Sequence, residues 1–157
     1  MSESRFWDST KSVTLSIVVT WVGLAGGLAC VPLLVPALKL LRPQQIAMDA
    51  SYIVRVSAPL YVCLAFGMVA LVVLLFLLRD IRRGAVFTPA NVHRLRLISY
   101  CGFAIMVACV VGALISPLHP IFVFLAVIAG FLGLLMRVVK NVIDTARLLK
   151  EDADFTI

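Results

Sequence analysis

The chain of 157 residues is short of charge: 14% of it is Asp, Glu, Lys or Arg, against about a quarter in soluble domains. Three long stretches, 13–38, 59–78 and 97–115, contain no Asp, Glu, Lys, Arg or His, and a fourth, 118–136, contains only His119 at its edge. Ion and proton routes through membranes are built on embedded ionisable groups. A small four-span drug exporter, which depends on an embedded carboxylate, is therefore excluded. Cysteine is sparse. Cys30, Cys63, Cys101 and Cys109 all sit in apolar runs and form no Cys-x-x-Cys pair, which disfavours a quinone-linked thiol oxidase. Cys101 and Cys109 are eight residues apart on one predicted helix, too far to bridge. His93 and His119 fall on opposite sides of the predicted membrane and cannot share a metal. Ser99 and Ser116 have no neighbouring histidine in the sequence, and there is no glycine-rich phosphate loop. No catalytic, cofactor-binding or metal site is expected, and no enzyme.

What the chain has is apolar surface. Hydrophobic residues make up 62% of it and the mean hydropathy is +1.09, too apolar for a soluble or a disordered chain. Each of the four stretches can cross ~30 Å of hydrocarbon as a helix, the fourth only just. The runs are continuous, whereas barrel strands alternate apolar with polar. The expected fold is all-α: one integral membrane domain over 1–157, a four-helix bundle with spans at 13–38, 59–78, 97–115 and 118–136. A helical extension and tail follow over 137–157.

The net charge of +6 does not signal nucleic-acid binding, because the basic residues flank apolar spans. Arg5 and Lys11 precede the first span; Arg79, Arg82, Arg83, Arg94 and Arg96 lie between the second and third; Arg137, Lys140, Arg147 and Lys150 follow the fourth. Only Lys39, Arg42 and Arg55 fall on the other side. The positive-inside rule then places both termini and the central loop in the cytoplasm. A rival reading treats the first span as a signal peptide with a lipoprotein-like box at Gly27-Leu28-Ala29-Cys30. That box wants leucine where Gly27 stands, and the apolar run continues past Cys30.

Pro32 and Pro36 are expected to kink or end the first helix. The segment 40–58 is expected to be a long apolar loop lying on the outer interface or over the bundle, and 116–120 a tight hairpin. Small residues recur at four-residue spacing: Gly23 with Gly27, Ala104 with Ala108 and Gly112, Ala126 with Gly130, Ala129 with Gly133. Such spacing lets helix backbones approach closely in lipid, either within one bundle, the favoured reading, or across a homodimer.

Two segments on the cytoplasmic side carry pattern. In Gly84-Ala85-Val86-Phe87-Thr88-Pro89-Ala90-Asn91-Val92, Gly84 suits a helix end, Thr88 an N-cap and Pro89 the first helical position. Asn91 is placed to reach back to the cap, as the glutamate of a capping box does. A third helix from Pro89 would be about 42 Å long and overshoot the hydrocarbon core. After Met136, Val139, Val142, Ile143, Ala146 and Leu149 form a helical stripe, with Lys140–Asp144 and Arg147–Glu151 spaced to pair on the polar face. This stripe either packs on the base of the third helix or docks a cytosolic partner. Third and fourth helices should both extend into the cytoplasm. The acidic-apolar tail ending in Asp154, Phe155, Thr156 and Ile157 is expected to fold back as a latch over 84–91, drawn by Arg79, Arg82 and Arg83.

These two segments resemble the bacterial four-span membrane family called domain of unknown function 2975. Its Gly-x-x-Phe-[Ser/Thr]-x-x-Asn-[Val/Ile] segment, which enters the third span, is matched by Gly84, Phe87, Thr88, Asn91 and Val92. Its Asp-Leu-Thr-[Ile/Val] tail is matched by Asp154, Phe155, Thr156 and Ile157, with Phe155 in place of the usual leucine. The resemblance implies no enzymatic activity. It implies a gene neighbourhood with small helix-turn-helix regulators, and hence a regulatory or sensory protein of the inner membrane with such a regulator as cytosolic partner. The alternatives are a structural accessory subunit, or a small oligomeric transporter or channel whose pore is lined by Thr14, Ser16 and Thr20.

Overall fold

A computed structural model describes residues 3–41, 50–84 and 88–155. They form four helices and, among the described residues, no strand: α1 (Glu3–Leu41), α2 (Ala50–Arg82), α3 (Pro89–Ile115) and α4 (His119–Phe155). All four are long and apolar enough to cross a membrane, as the helices of a multi-pass membrane protein must be. Each helix packs on its neighbour in the chain: α1 on α2, α2 on α3, and α3 on α4.

Two boundaries differ from expectation. The segment 40–58 is not a loop, since α1 runs to Leu41 and α2 begins at Ala50. The apolar residues between Tyr52 and Val56 are the first turns of α2, and Val56 and Ser57 are buried there. Only 42–49, outside the described residues, is left to connect them. Pro32 and Pro36 do not end α1 either. A proline removes one backbone donor but still fits helical φ, and in lipid the helix is the conformation that leaves fewest backbone groups unpaired. Close by, the Tyr61 hydroxyl of α2 donates to the Val31 carbonyl at 3.0 Å.

The α3–α4 pair is the tightest part of the molecule. Its connection is three residues long and internally bonded. The Ser116 N–H donates to the Gly112 carbonyl at 2.9 Å, the Leu118 N–H donates to Ser116 Oγ at 3.2 Å, and the His119 ring donates from Nδ1 to the Ala113 carbonyl. Further along, a Cβ added at Gly102 would stand 3.0 Å from the Gly133 Cα, so the backbones meet where neither residue has a side chain. Ser99 crosses the same contact, donating from Oγ to the Gly133 carbonyl at 2.8 Å. The small residues Gly112, Gly130 and Gly133 thus face neighbours in this chain: Phe122, Met106, and the backbone of Ser99 and Phe103. Gly27 of α1 does the same against Met68 of α2. A core of Cys109, Phe122 and Ala126, with Leu60 and Cys63 of α2 packed against it, closes the other end of the pair.

Candidate functional site at the basic end of the bundle

The end of the bundle that carries Arg79, Arg82, Arg94, Arg96 and Arg137 holds most of the residues singled out by sequence. There α2 ends at Arg82 and the chain turns through Gly84, whose φ of +80° is the left-handed conformation glycine adopts without steric cost. Its N–H donates to the Ile81 carbonyl at 3.0 Å, closing the last turn. The chain re-enters helix at Thr88, an extended N-cap whose Oγ1 accepts the Asn91 N–H at 3.4 Å, and Pro89 takes the first helical position. Phe87 lies outside the described residues. Val92 and Leu95 bury the first turns of α3.

The Asn91 side chain does more than the capping-box expectation allowed. It is 1% exposed, and its Oδ1 accepts from Arg94 Nη1 at 2.8 Å. The same guanidinium donates to the Asp80 carboxylate of α2 and stands 5.9 Å from the centre of the Phe76 ring. Asp80 sits in the last turn of α2 and Arg94 in the first turns of α3. Each is therefore at the end of its own helix where the backbone dipole disfavours its charge. Pairing removes both penalties and ties the two helix ends together. The Asp80–Arg94 pair thus joins the end of α2 to the start of α3 on either side of 85–87, which lie outside the described residues. Sequence reasoning missed Asp80, although it is the one acidic residue between Asp49 and Asp144 and so conspicuous in the composition.

The described backbone of the tail continues α4. Ser99 lies beside Gly133, and Gly112 beside Phe122, which fixes the antiparallel register. By that register Pro89 is level with a residue near 143. The backbone then continues helically to Phe155, about 18 Å further at 1.5 Å per residue. Asp154 and Phe155 therefore extend α4 away from Thr88 instead of folding back as a latch; Thr156 and Ile157 lie outside the described residues. Helix propagation explains the difference, since α4 keeps its backbone bonds only by going straight on. The polar-face pair Lys140–Asp144 does not close to ion-pair distance, and the Glu151 side chain is outside the described set.

The stripe after Met136 splits in two. Val139, Ile143 and Ala146 are half-buried, whereas Val142 is 63% exposed and Leu149 66% exposed, with Leu148 exposed beside them. Of the hydroxyls proposed for an oligomeric pore, Ser16 and Thr20 are engaged within α1. Ser16 donates to the Ser12 carbonyl at 3.1 Å and buried Thr20 to the Ser16 carbonyl at 2.7 Å, both within α1. Two clefts between helices are apolar, one of them about 360 Å³ and bounded by Ile98, Gly102, Ile105 and Leu132. Sequence reasoning also missed that Cys63 and Cys109, on different helices, stand with their sulfurs 3.5 Å apart. Nothing in a spacing of 46 residues signals that contact. Among the described residues, no three His, Cys, Asp or Glu side chains are grouped to hold a metal ion.

The pattern of the family described as "Protein of unknown function (DUF2975)" matches residues 9–157, nearly the whole chain. The chain belongs to this family. No curated protein and no solved structure matches it. Within this DUF2975 member, the motif residues Gly84, Thr88, Pro89, Asn91 and Val92 are accounted for by the α2–α3 corner.

Proposed function

We propose that this DUF2975 protein is a non-enzymatic regulatory or sensory protein of the bacterial inner membrane. Its basic end faces the cytoplasm, and the projecting part of α4 docks a cytosolic partner such as a small helix-turn-helix regulator. One observation carries this reading. Beyond Met136, where the uninterrupted apolar run ends, α4 keeps Val142, Leu148 and Leu149 exposed on a stretch that also carries Arg137, Lys140, Asp144 and Arg147. An amphipathic helix with an unpartnered apolar face suits docking into a partner's groove, with anchors at helical spacing. The distribution of basic residues supports the orientation. The gene neighbourhood implied by the family resemblance supports the class of partner.

The test is site-specific photo-crosslinking at Val142 and Leu149 in native membranes, with the adducts identified by mass spectrometry. A soluble DNA-binding regulator, lost when Leu148→Asp and Leu149→Asp are introduced, is the expected result. Adducts only to lipid or to copies of the same chain would overturn the docking role.

A further inference from the structure

On the face of the α3–α4 pair turned away from α2, the basic end holds a second feature that the corner does not use. Arg96, Ser99, Tyr100 and Phe103 of α3, with Arg137 and Lys140 of α4, line a pocket of about 210 Å³. This is smaller than the ~300–1,000 Å³ typical of sites for drug-sized ligands. Three of its six lining residues are cations. Arg94, two residues before Arg96, is occupied by Asp80 and Asn91, but Arg96, Arg137 and Lys140 have no ion pair or hydrogen bond among the described residues. No carboxylate lines the pocket, and Asp144, the nearest acid along α4, does not close on Lys140. The position is as specific as the charge. Arg96 and Arg137 are the residues at which the apolar runs of α3 and α4 end, so the pocket lies at headgroup level. Tyr100 and Phe103 supply an aromatic wall on its hydrocarbon side, where amphipathic rings settle at the interface.

We propose that this pocket binds the phosphate of an anionic membrane lipid, with Arg96, Arg137 and Lys140 around the headgroup and Tyr100 and Phe103 against the start of its acyl chains. Basic pockets between membrane helices are suited to such headgroups, and guanidinium groups match phosphate oxygens in pairs. Bringing three like charges to one pocket opposes packing of α3 on α4, and a bound phosphate offsets that repulsion. The site does not depend on the partner proposed for α4, whose exposed residues lie further along the helix.

The test uses the full chain, purified and exchanged into lipid of defined composition. Native mass spectrometry should show phosphatidylglycerol retained in preference to phosphatidylcholine. Arg137→Gln alone should weaken retention about fivefold, and Arg96→Gln, Arg137→Gln and Lys140→Gln together on the order of a hundredfold, following the usual share of each juxtamembrane cation. The control variant removes an equal charge at the same end through Arg79→Gln, Arg82→Gln and Arg83→Gln, and should retain the lipid. Equal loss in the control would show a diffuse field and overturn the site. So would equal retention of phosphatidylcholine. Inorganic phosphate that raises the unfolding temperature as much as phosphatidylglycerol does would reassign the pocket to a free anion and overturn the lipid. Circular dichroism of each variant establishes that it is folded, and the single Arg137→Gln variant serves if the triple one is not.

Discussion

Gly102→Ala is the sharpest test of how α3 and α4 are held together. The added Cβ would stand 3.0 Å from the Gly133 Cα, 3.2 Å from the Gly133 nitrogen and 3.3 Å from the Ala129 carbonyl oxygen. All three atoms are backbone, so no side chain can rotate out of the way and the helices must part. Overpacking of this kind costs about 1–3 kcal/mol. Parting also stretches the Ser99–Gly133 bond, now 2.8 Å, and interhelical hydrogen bonds in membranes contribute about 0.6 kcal/mol. Against this stands the intrinsic gain of alanine over glycine in a helix, up to about 1 kcal/mol. Gly67→Ala isolates that gain, because a Cβ there meets nothing within 4 Å. The difference between the two variants cancels propensity and leaves the steric and hydrogen-bond costs, about 2 kcal/mol or more. Reversible unfolding in mixed micelles, followed by circular dichroism, measures it. A Gly102→Ala protein as stable as Gly67→Ala would refute the close crossing.

Three further outcomes follow from the same geometry. In a double-mutant cycle of Asp80→Asn and Arg94→Gln, the coupling should exceed the ~0–1 kcal/mol of an exposed pair, since both side chains are about three-quarters buried and Asn91 shares the guanidinium; a coupling near zero in micelle unfolding would contradict the corner. Activity reporters fused after Ile157 and within 82–88 should both read cytoplasmic, and a periplasmic signal from either would reverse the proposed orientation. Replacing Cys30, Cys63, Cys101 and Cys109 with alanine should leave the helical spectrum unchanged. The cost, about 1 kcal/mol at each buried site, should fall mainly at Cys109 and Cys101, which are 0% and 4% exposed, and none at exposed Cys30.

The helices were legible because uninterrupted apolar runs leave little choice of structure in lipid. The corner was legible in part: Gly84, Thr88 and Pro89 act through their own backbones, so local sequence declares their roles. Asn91 and Asp80 act through Arg94, and a contact between an α2 end and an α3 start is not written in either segment alone. The same limit hid the Cys63–Cys109 contact and the grouping of Arg96 with Arg137 and Lys140, which needs the α3–α4 register. The misjudged loop at 50–58 has a different cause. Arg55 and Pro59 broke the apolar run, and the break was taken for the start of the span, although proline is tolerated once a helix is supported by its neighbours. The latch expectation weighed opposite charge and not helix continuation; exposed ion pairs contribute too little to break an α4 that is helical to Phe155.

The distribution of specific contacts sets where this molecule is stiff. α3 and α4 share a bonded turn at Ser116–His119, a backbone crossing at Gly102–Gly133 and the Ser99 hydrogen bond. α2 is fixed to that pair at both ends, by Asp80–Arg94 at one and by Leu60 and Cys63 against Phe122 and Cys109 at the other. α1 is held by less: the Tyr61–Val31 bond and the seat of Gly27 on Met68. With most of its side chains exposed, α1 gives its surface to lipid. Sensing and docking elements need a rigid mount and a movable part, and local opening draws on regions with few buried contacts. The α3–α4 pair is the mount, since the lipid pocket and the projecting end of α4 both belong to it. A headgroup bound between Arg96 and Arg137 would sit against the same helix that carries Val142 and Leu149, with Arg137 five residues before the first of them. A partner docked on α4 and a lipid held in this pocket would both act on the α3–α4 pair, and linkage would require any coupling between them to run equally in both directions.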